Sequence, residues 1–99
     1  MARFKVYRMD DQGALAIDLQ SNLFDGLPTC VMAPLVLAED VATLVPRLNP
    51  RFEIDGMRYV MMTEFLASVP MRELGMGVAD LSTRADDITA ATDFLFQGF

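Results

Sequence analysis

Ninety-nine residues hold one hydrophobic core and no second module, so a single domain spanning 1–99 is expected. A net charge of −6 sets the chain against a phosphate backbone, whose non-specific affinity comes from Lys and Arg displacing counterions, so direct nucleic-acid binding by this chain alone is not expected. Histidine is absent, which removes His-based nucleophile triads, His zinc sites and the usual near-neutral proton shuttle, and with them most hydrolase mechanisms.

The chain opens Met1-Ala2-Arg3-Phe4-Lys5 and passes at once into alternation, without the basic region and long apolar core of a signal peptide. Phe4 and Val6 fall on one face and Arg3, Lys5 and Tyr7 on the other, as in a half-buried first strand. Asp10-Asp11-Gln12-Gly13 has turn chemistry, and beyond it Leu15, Ile17 and Leu19 alternate with Ala16, Asp18 and Gln20, completing a first antiparallel hairpin. Ser21 to Pro28 reads as a loop, yet it holds Leu23 and Phe24 side by side where a solvated loop would be polar, so one of the pair is expected at the surface.

Cys30 to Leu37 is apolar on both faces and predicts a strand covered on both sides, with an edge, bulge or bend at Pro34, which has no N–H for a ladder. Cys30 is the only cysteine, so neither an intrachain disulfide nor a Cys-only metal site can form. No basic neighbour in sequence lowers its thiol pKa, and a buried structural thiol is the better reading than a nucleophile. Glu39 to Leu48 predicts an irregular crossover with a short helical turn before Pro46, closed by Asn49-Pro50. Phe52 and Ile54, then Asp55-Gly56, then Met57, Tyr59 and Met61 predict a second hairpin, because Asp-Gly suits the positive φ values of a tight turn.

Thr63 to Asp80, interrupted by Pro70, Gly75 and Gly77, predicts short bent strand pieces. Gly75-Met76-Gly77 lacks the spacing of a phosphate loop, and strand bending accounts for it better. After Leu81, Ser82 or Thr83 is expected to cap a helix whose first turns carry Asp86 and Asp87. Ala85, Ile88, Ala91, Thr92, Leu95 and Phe99 share one helical face, with Phe94 and Gln97 off it. The expected fold is mostly β: an antiparallel sheet or barrel closed by one C-terminal α-helix.

The acidic pairs Asp10-Asp11, Glu39-Asp40 and Asp86-Asp87 sit where turns and helix starts favour acid, and adjacent carboxylates diverge, so a cation site or an acid–base pair is not the preferred reading. The eight methionines are read mainly as core filling rather than as an adaptable binding surface. With 53% hydrophobic residues and aromatic groups expected at the surface at Phe94 and Phe99, a monomer leaves apolar area to be covered, and a homodimer is the simplest cover. No apolar run approaches the roughly 20 residues of a membrane span, so a cytoplasmic protein without membrane attachment is expected.

Several strings, taken in order, resemble the CcdB family of bacterial toxins. They are Phe4-Lys5-Val6-Tyr7, Asp18-Leu19-Gln20-Ser21 with Leu23-Phe24 and Asp25, Met61-Met62-Thr63, and Ala67-Ser68-Val69-Pro70. Val78-Ala79-Asp80-Leu81-Ser82 with Arg84 and Asp87-Ile88 completes the set, and coverage is nearly the whole chain. The resemblance implies an SH3-like barrel with a C-terminal helix, a homodimer, a CcdA-like antitoxin, no cofactor and no catalysis. It also implies action on DNA gyrase through the A subunit.

In that family the contact comes from Trp-Gly-Ile at the end of the helix, an earlier polar helix position, and the apolar pair in the loop after the second strand. The matching positions here are Gln97, Gly98 and Phe99, then Asp93, then Leu23 and Phe24. Gln97 stands for Trp and Asp93 for Asn, so a stacking surface is lost and a negative charge gained. A central aromatic anchor is worth ~2 kcal/mol or more. The alternative reading is therefore a protein of this fold that binds an antitoxin but has lost or changed its gyrase target. A small nuclease or hydrolase is the third reading, and it lacks both a histidine base and a cationic cradle.

Overall fold

A computed structural model describes residues 2–9 and 13–99. Among the described residues seven strands form one curled antiparallel sheet: β1 Lys5–Arg8, β2 Leu15–Asp18, β3 Thr29–Leu37, β4 Arg51–Ile54, β5 Met57–Met61, β6 Ala67–Pro70 and β7 Gly77–Asp80. One helix, α1, spans Ala85–Gln97. The sheet runs β4-β5-β3-β2-β1-β7, and β6 pairs with the first half of β3. The expected mostly β fold with a closing helix is the fold observed. Of the first hairpin's turn residues, Asp10, Asp11 and Gln12 lie outside the described residues.

The main core lies between the concave face of the sheet and α1, where Val6, Ile17, Ala33, Leu35, Phe52 and Met61 meet Ile88 and Ala91. Registers Val6↔Ile17 and Ile17↔Ala33 bring these side chains to one face, as the period of a strand requires. Half-burial of the first hairpin is not observed: Tyr7, Ala16 and Asp18 on the opposite face are buried as well. The segment from β6 through Leu74 crosses behind them, so Tyr7, Ala16, Cys30 and Met32 pack against Val69, Met71 and Leu74 as a second cluster. Local alternation cannot report a cover supplied from fifty residues downstream.

Pro34 lies within the longest strand, at the point where the outer partner of β3 changes from β6, ending at Met32↔Ala67, to β5, beginning at Leu35↔Met61. Its carbonyl accepts from the Met62 N–H at 2.9 Å, and the ring nitrogen on that same edge faces the junction, where no ladder bond is forfeited. In place of the edge, bulge or bend expected at Pro34, β3 keeps an unbroken register with β2 and changes its outer partner. Asp55 (φ 52°) and Gly56 (φ 79°) make the tight turn of the second hairpin, with Ile54↔Met57 closing it.

The glycines before β7 serve close approach as well as bending. A Cβ on Gly75 would stand 2.8 Å from the Arg8 carbonyl oxygen, to which the Gly75 N–H donates at 2.7 Å. In the crossover the short helical turn is a 3₁₀ turn at Ala38–Asp40. Asn49 has a larger part than ending the segment. Buried, it accepts from the Val45 N–H at 3.0 Å and donates to the Met61 carbonyl at 3.1 Å and to Glu64 Oε1 at 2.8 Å. The buried Thr63 hydroxyl donates to the Leu48 carbonyl beside it.

α1 begins later than the sequence suggests. Ser82–Arg84 form a 3₁₀ turn, and no side chain caps Arg84, the residue before the helix. The capping oxygen belongs to Asp80, whose carboxylate accepts from the Ser82 N–H at 2.9 Å; that bond holds the Asp80 carboxyl below the usual carboxylate range. Asp86 and Asp87 stand in the first helical turn as expected. Among the described residues no helix is long and apolar enough to cross a membrane.

Candidate functional site

The residues singled out from sequence occupy two places. Leu23 and Phe24 sit on a 3₁₀ turn, Asn22–Phe24, between β2 and β3. Both face solvent, Leu23 at 81% and Phe24 at 50% exposure, with Leu27 exposed beside them. Such a turn would fold inward if nothing held it, because burying those side chains is favourable. Polar groups hold it outward. Ser21 Oγ accepts from the Leu23 N–H at 3.2 Å, and Asn22 Oδ1 accepts from the Arg3 N–H at 2.8 Å.

The chief tie is Gln20. Its Nε2 donates to the carbonyls of Phe24 at 3.1 Å and Thr29 at 3.3 Å, while its Oε1 accepts from the Val31 N–H at 3.2 Å. Both ends of the loop are thereby joined to one side chain. The next anchor inward is Asp18, which accepts from the Gln20 N–H at 2.8 Å and lies against Cys30. Burial pushes the Asp18 carboxyl above its ordinary value despite these bonds and the nearby Arg3 charge. Burial, and then the Asp18 carboxylate, push the Cys30 thiol up to about 12, so it is inert at neutral pH as a structural cysteine is.

The second place is the end of α1. Ile88 and Ala91 are buried on the face predicted for them, and Asp93 and Gln97 are exposed. Gly98 closes the helix in the left-handed conformation (φ 79°), its N–H bonded to the Phe94 carbonyl at 2.9 Å. That turn takes Phe99 off the helical path, so Phe99 does not join the buried face and is 74% exposed. Phe94, expected at the surface, is half-buried with the Arg47 guanidinium 4.4 Å from its ring centroid. Phe96 is the exposed aromatic of the helix, at 72%, and was not singled out from sequence. Helical spacing puts Phe96, like Phe94, off the face of Ile88, Ala91 and Leu95, and the difference between the two lies in the Arg47 cover of Phe94.

No hydrogen bond, ion pair or ring contact among the described residues joins the Leu23–Phe24 turn to the Asp93–Phe99 end of the chain. Within the chain they are two separate apolar presentations. Among the described residues no group of three His, Cys, Asp or Glu side chains is placed to hold a metal ion. Glu39 and Asp40 lie exposed in a 3₁₀ turn, and Asp87 pairs with Arg84 at 2.9 Å.

Fold and surface together define, among the described residues, a small mostly β protein with one helix whose prominent features are solvent-facing apolar side chains on prearranged turns. A family model described as CcdB protein matches residues 3–98, and the chain belongs to the CcdB family. It is accordingly a toxin of a toxin–antitoxin system. The family is one of gyrase poisons rather than a catalytic family, and its partners are of two kinds, antitoxin and gyrase.

Proposed function

We propose that this protein poisons DNA gyrase by binding its A subunit without catalysis, through Gln97, Gly98 and Phe99, with Asp93 and the Leu23–Phe24 turn completing the contact. The observation that carries the reading is the exposure of Phe99 beside Gly98, on a helix end locked by the Phe94 carbonyl bond. An apolar ring presented on a rigid support binds with little ordering cost. Phe96, exposed on the same end, adds apolar area that compensates in part for the polar Gln97. A homodimer bringing two helix ends together would double that area, and a CcdA-like antitoxin would neutralise the toxin by covering it.

The test is binding of purified protein to the gyrase A-subunit dimerisation region, with Phe99→Ala and deletion of residues 97–99 alongside. Binding abolished by the deletion and weakened roughly tenfold by Phe99→Ala is expected. No binding by a folded protein would refute the reading.

Gln97 and Asp93 favour a second reading, in which fold and antitoxin pairing persist but the target is lost or changed. Both side chains are exposed, and neither makes a hydrogen bond or ion pair among the described residues that would account for it structurally. On this reading Gln97→Trp creates or strongly increases gyrase affinity; an unchanged affinity would rule it out.

A further inference from the structure

Away from the apolar turns, a groove of about 490 Å³ lies between the crossover and the outer face of α1. Arg47 comes to it from the crossover, Arg51 from the start of β4 and Arg84 from the turn before α1, with Pro46 and Ala90 as apolar walls and Asp87 the acid among the lining residues. Arg84 is already engaged. It pairs with Asp87 at 2.9 Å, donates to the Arg51 carbonyl at 3.2 Å and lies over the Phe52 ring at 4.8 Å. Arg47 and Arg51 are exposed, and no carboxylate among the described residues pairs with either. Two arginines with no carboxylate partner among the described residues thus line one groove of a protein whose net charge is −6.

We propose that this groove docks an acidic peptide segment of a partner protein, its carboxylates taken by Arg47 and Arg51 and its apolar side chains by the Pro46 and Ala90 walls. A guanidinium fork matches a carboxylate bidentately, and Arg47 is held by its stacking on Phe94, so little of its freedom is lost on binding. A nucleic acid suits the groove less well, because two free arginines release few counterions and the chain as a whole carries a net charge of −6. Asp87, Ala90 and Phe94 follow one another on a helical face, so a segment lying along the groove runs toward Gln97. The inference is independent of the gyrase reading, since it uses neither Phe99 nor the Leu23–Phe24 turn.

The test uses the full chain and a fluorescein-labelled oligoglutamate peptide with interspersed leucines, followed by anisotropy, with an oligolysine peptide and a labelled DNA duplex as comparisons. Saturable binding of the acidic peptide that weakens as salt rises is expected, as is loss of about tenfold or more in Arg47→Glu/Arg51→Glu. Arg72→Glu, an exposed arginine outside the groove, should bind as the parent does. Circular dichroism melting reports whether the double variant is folded; if it is not, Arg51→Gln alone, whose side chain supports no bond among the described residues, should still lower affinity several-fold. Absence of saturable binding would overturn the proposal, as would equal weakening by Arg72→Glu, or tighter binding of the duplex than of the peptide.

Discussion

The Asn49 amide donates to the Met61 carbonyl at 3.1 Å and so joins the irregular crossover to the last residue of β5, inside the fold. A single carboxamide satisfies a buried carbonyl at one end and the Val45 N–H at the other. Asn49→Ala leaves the Met61 carbonyl without its partner inside the fold, while the Val45 N–H, on a residue 44% exposed, can turn to water, and should cost about 1–3 kcal/mol. Chemical denaturation of the two proteins checks this, and a difference below about 0.5 kcal/mol would mean that water replaces the amide.

Gly75 tests the close approach of β1 and the β7 lead-in. Its missing Cβ leaves room for the Arg8 carbonyl oxygen, a backbone atom that cannot rotate away. Gly75→Ala is expected to lower stability by about 1–3 kcal/mol, whereas Gly26→Ala, where an added Cβ meets nothing within 4 Å, should be nearly neutral. Comparing the two thermal midpoints separates steric contact from any general effect of replacing glycine.

Gln20 is expected to act on the Leu23–Phe24 turn more than on the whole fold. Its loss removes bonds to Phe24, Thr29 and Val31 together. Gln20→Ala should speed hydrogen exchange at the Val31 amide and across the loop while the main core amides, exchanging by global opening, change little. Equal acceleration throughout would show that Gln20 supports the fold rather than the presentation of the turn.

Asp18 carries a pH signature. Burial raises its folded-state pKa above the unfolded value, so the native state holds the proton more tightly. Stability therefore falls as pH rises through the Asp18 folded pKa and is regained as pH drops back toward the unfolded value. Asp80 works in the opposite sense: its lowered pKa means stability is lost as pH falls. Asp18→Asn keeps an acceptor for the Gln20 N–H and removes the titration. The parent-minus-variant stability difference should thus decline from acid to neutral pH, with the Asp80 contribution cancelling. A flat difference would show that the Asp18 carboxyl titrates alike in the folded and unfolded protein.

The elements legible in the sequence are those whose cause is local. Asp55-Gly56 dictates its turn because positive φ is required there, and the spacing of Ile88 and Ala91 dictates which side of α1 is buried. Ordered strings such as Met61-Met62-Thr63 and Val78-Ala79-Asp80-Leu81-Ser82 made the family recognisable, and Leu23, Phe24, Gln97 and Phe99 were identifiable as candidate contacts by position within it. Their exposure depends on more than position.

Tertiary structure decided what distant segments cover. The segment from β6 to Leu74 buries Tyr7, Ala16 and Cys30 from behind, and Arg47 shields Phe94 while Phe96 is left to solvent. Pro34 is accommodated because two different strands meet at its edge of β3, and the groove arises only when Arg47 and Arg51 are carried to α1. Burial and charge convergence are sums over neighbours in space, and chain order specifies those neighbours only after the sheet has formed.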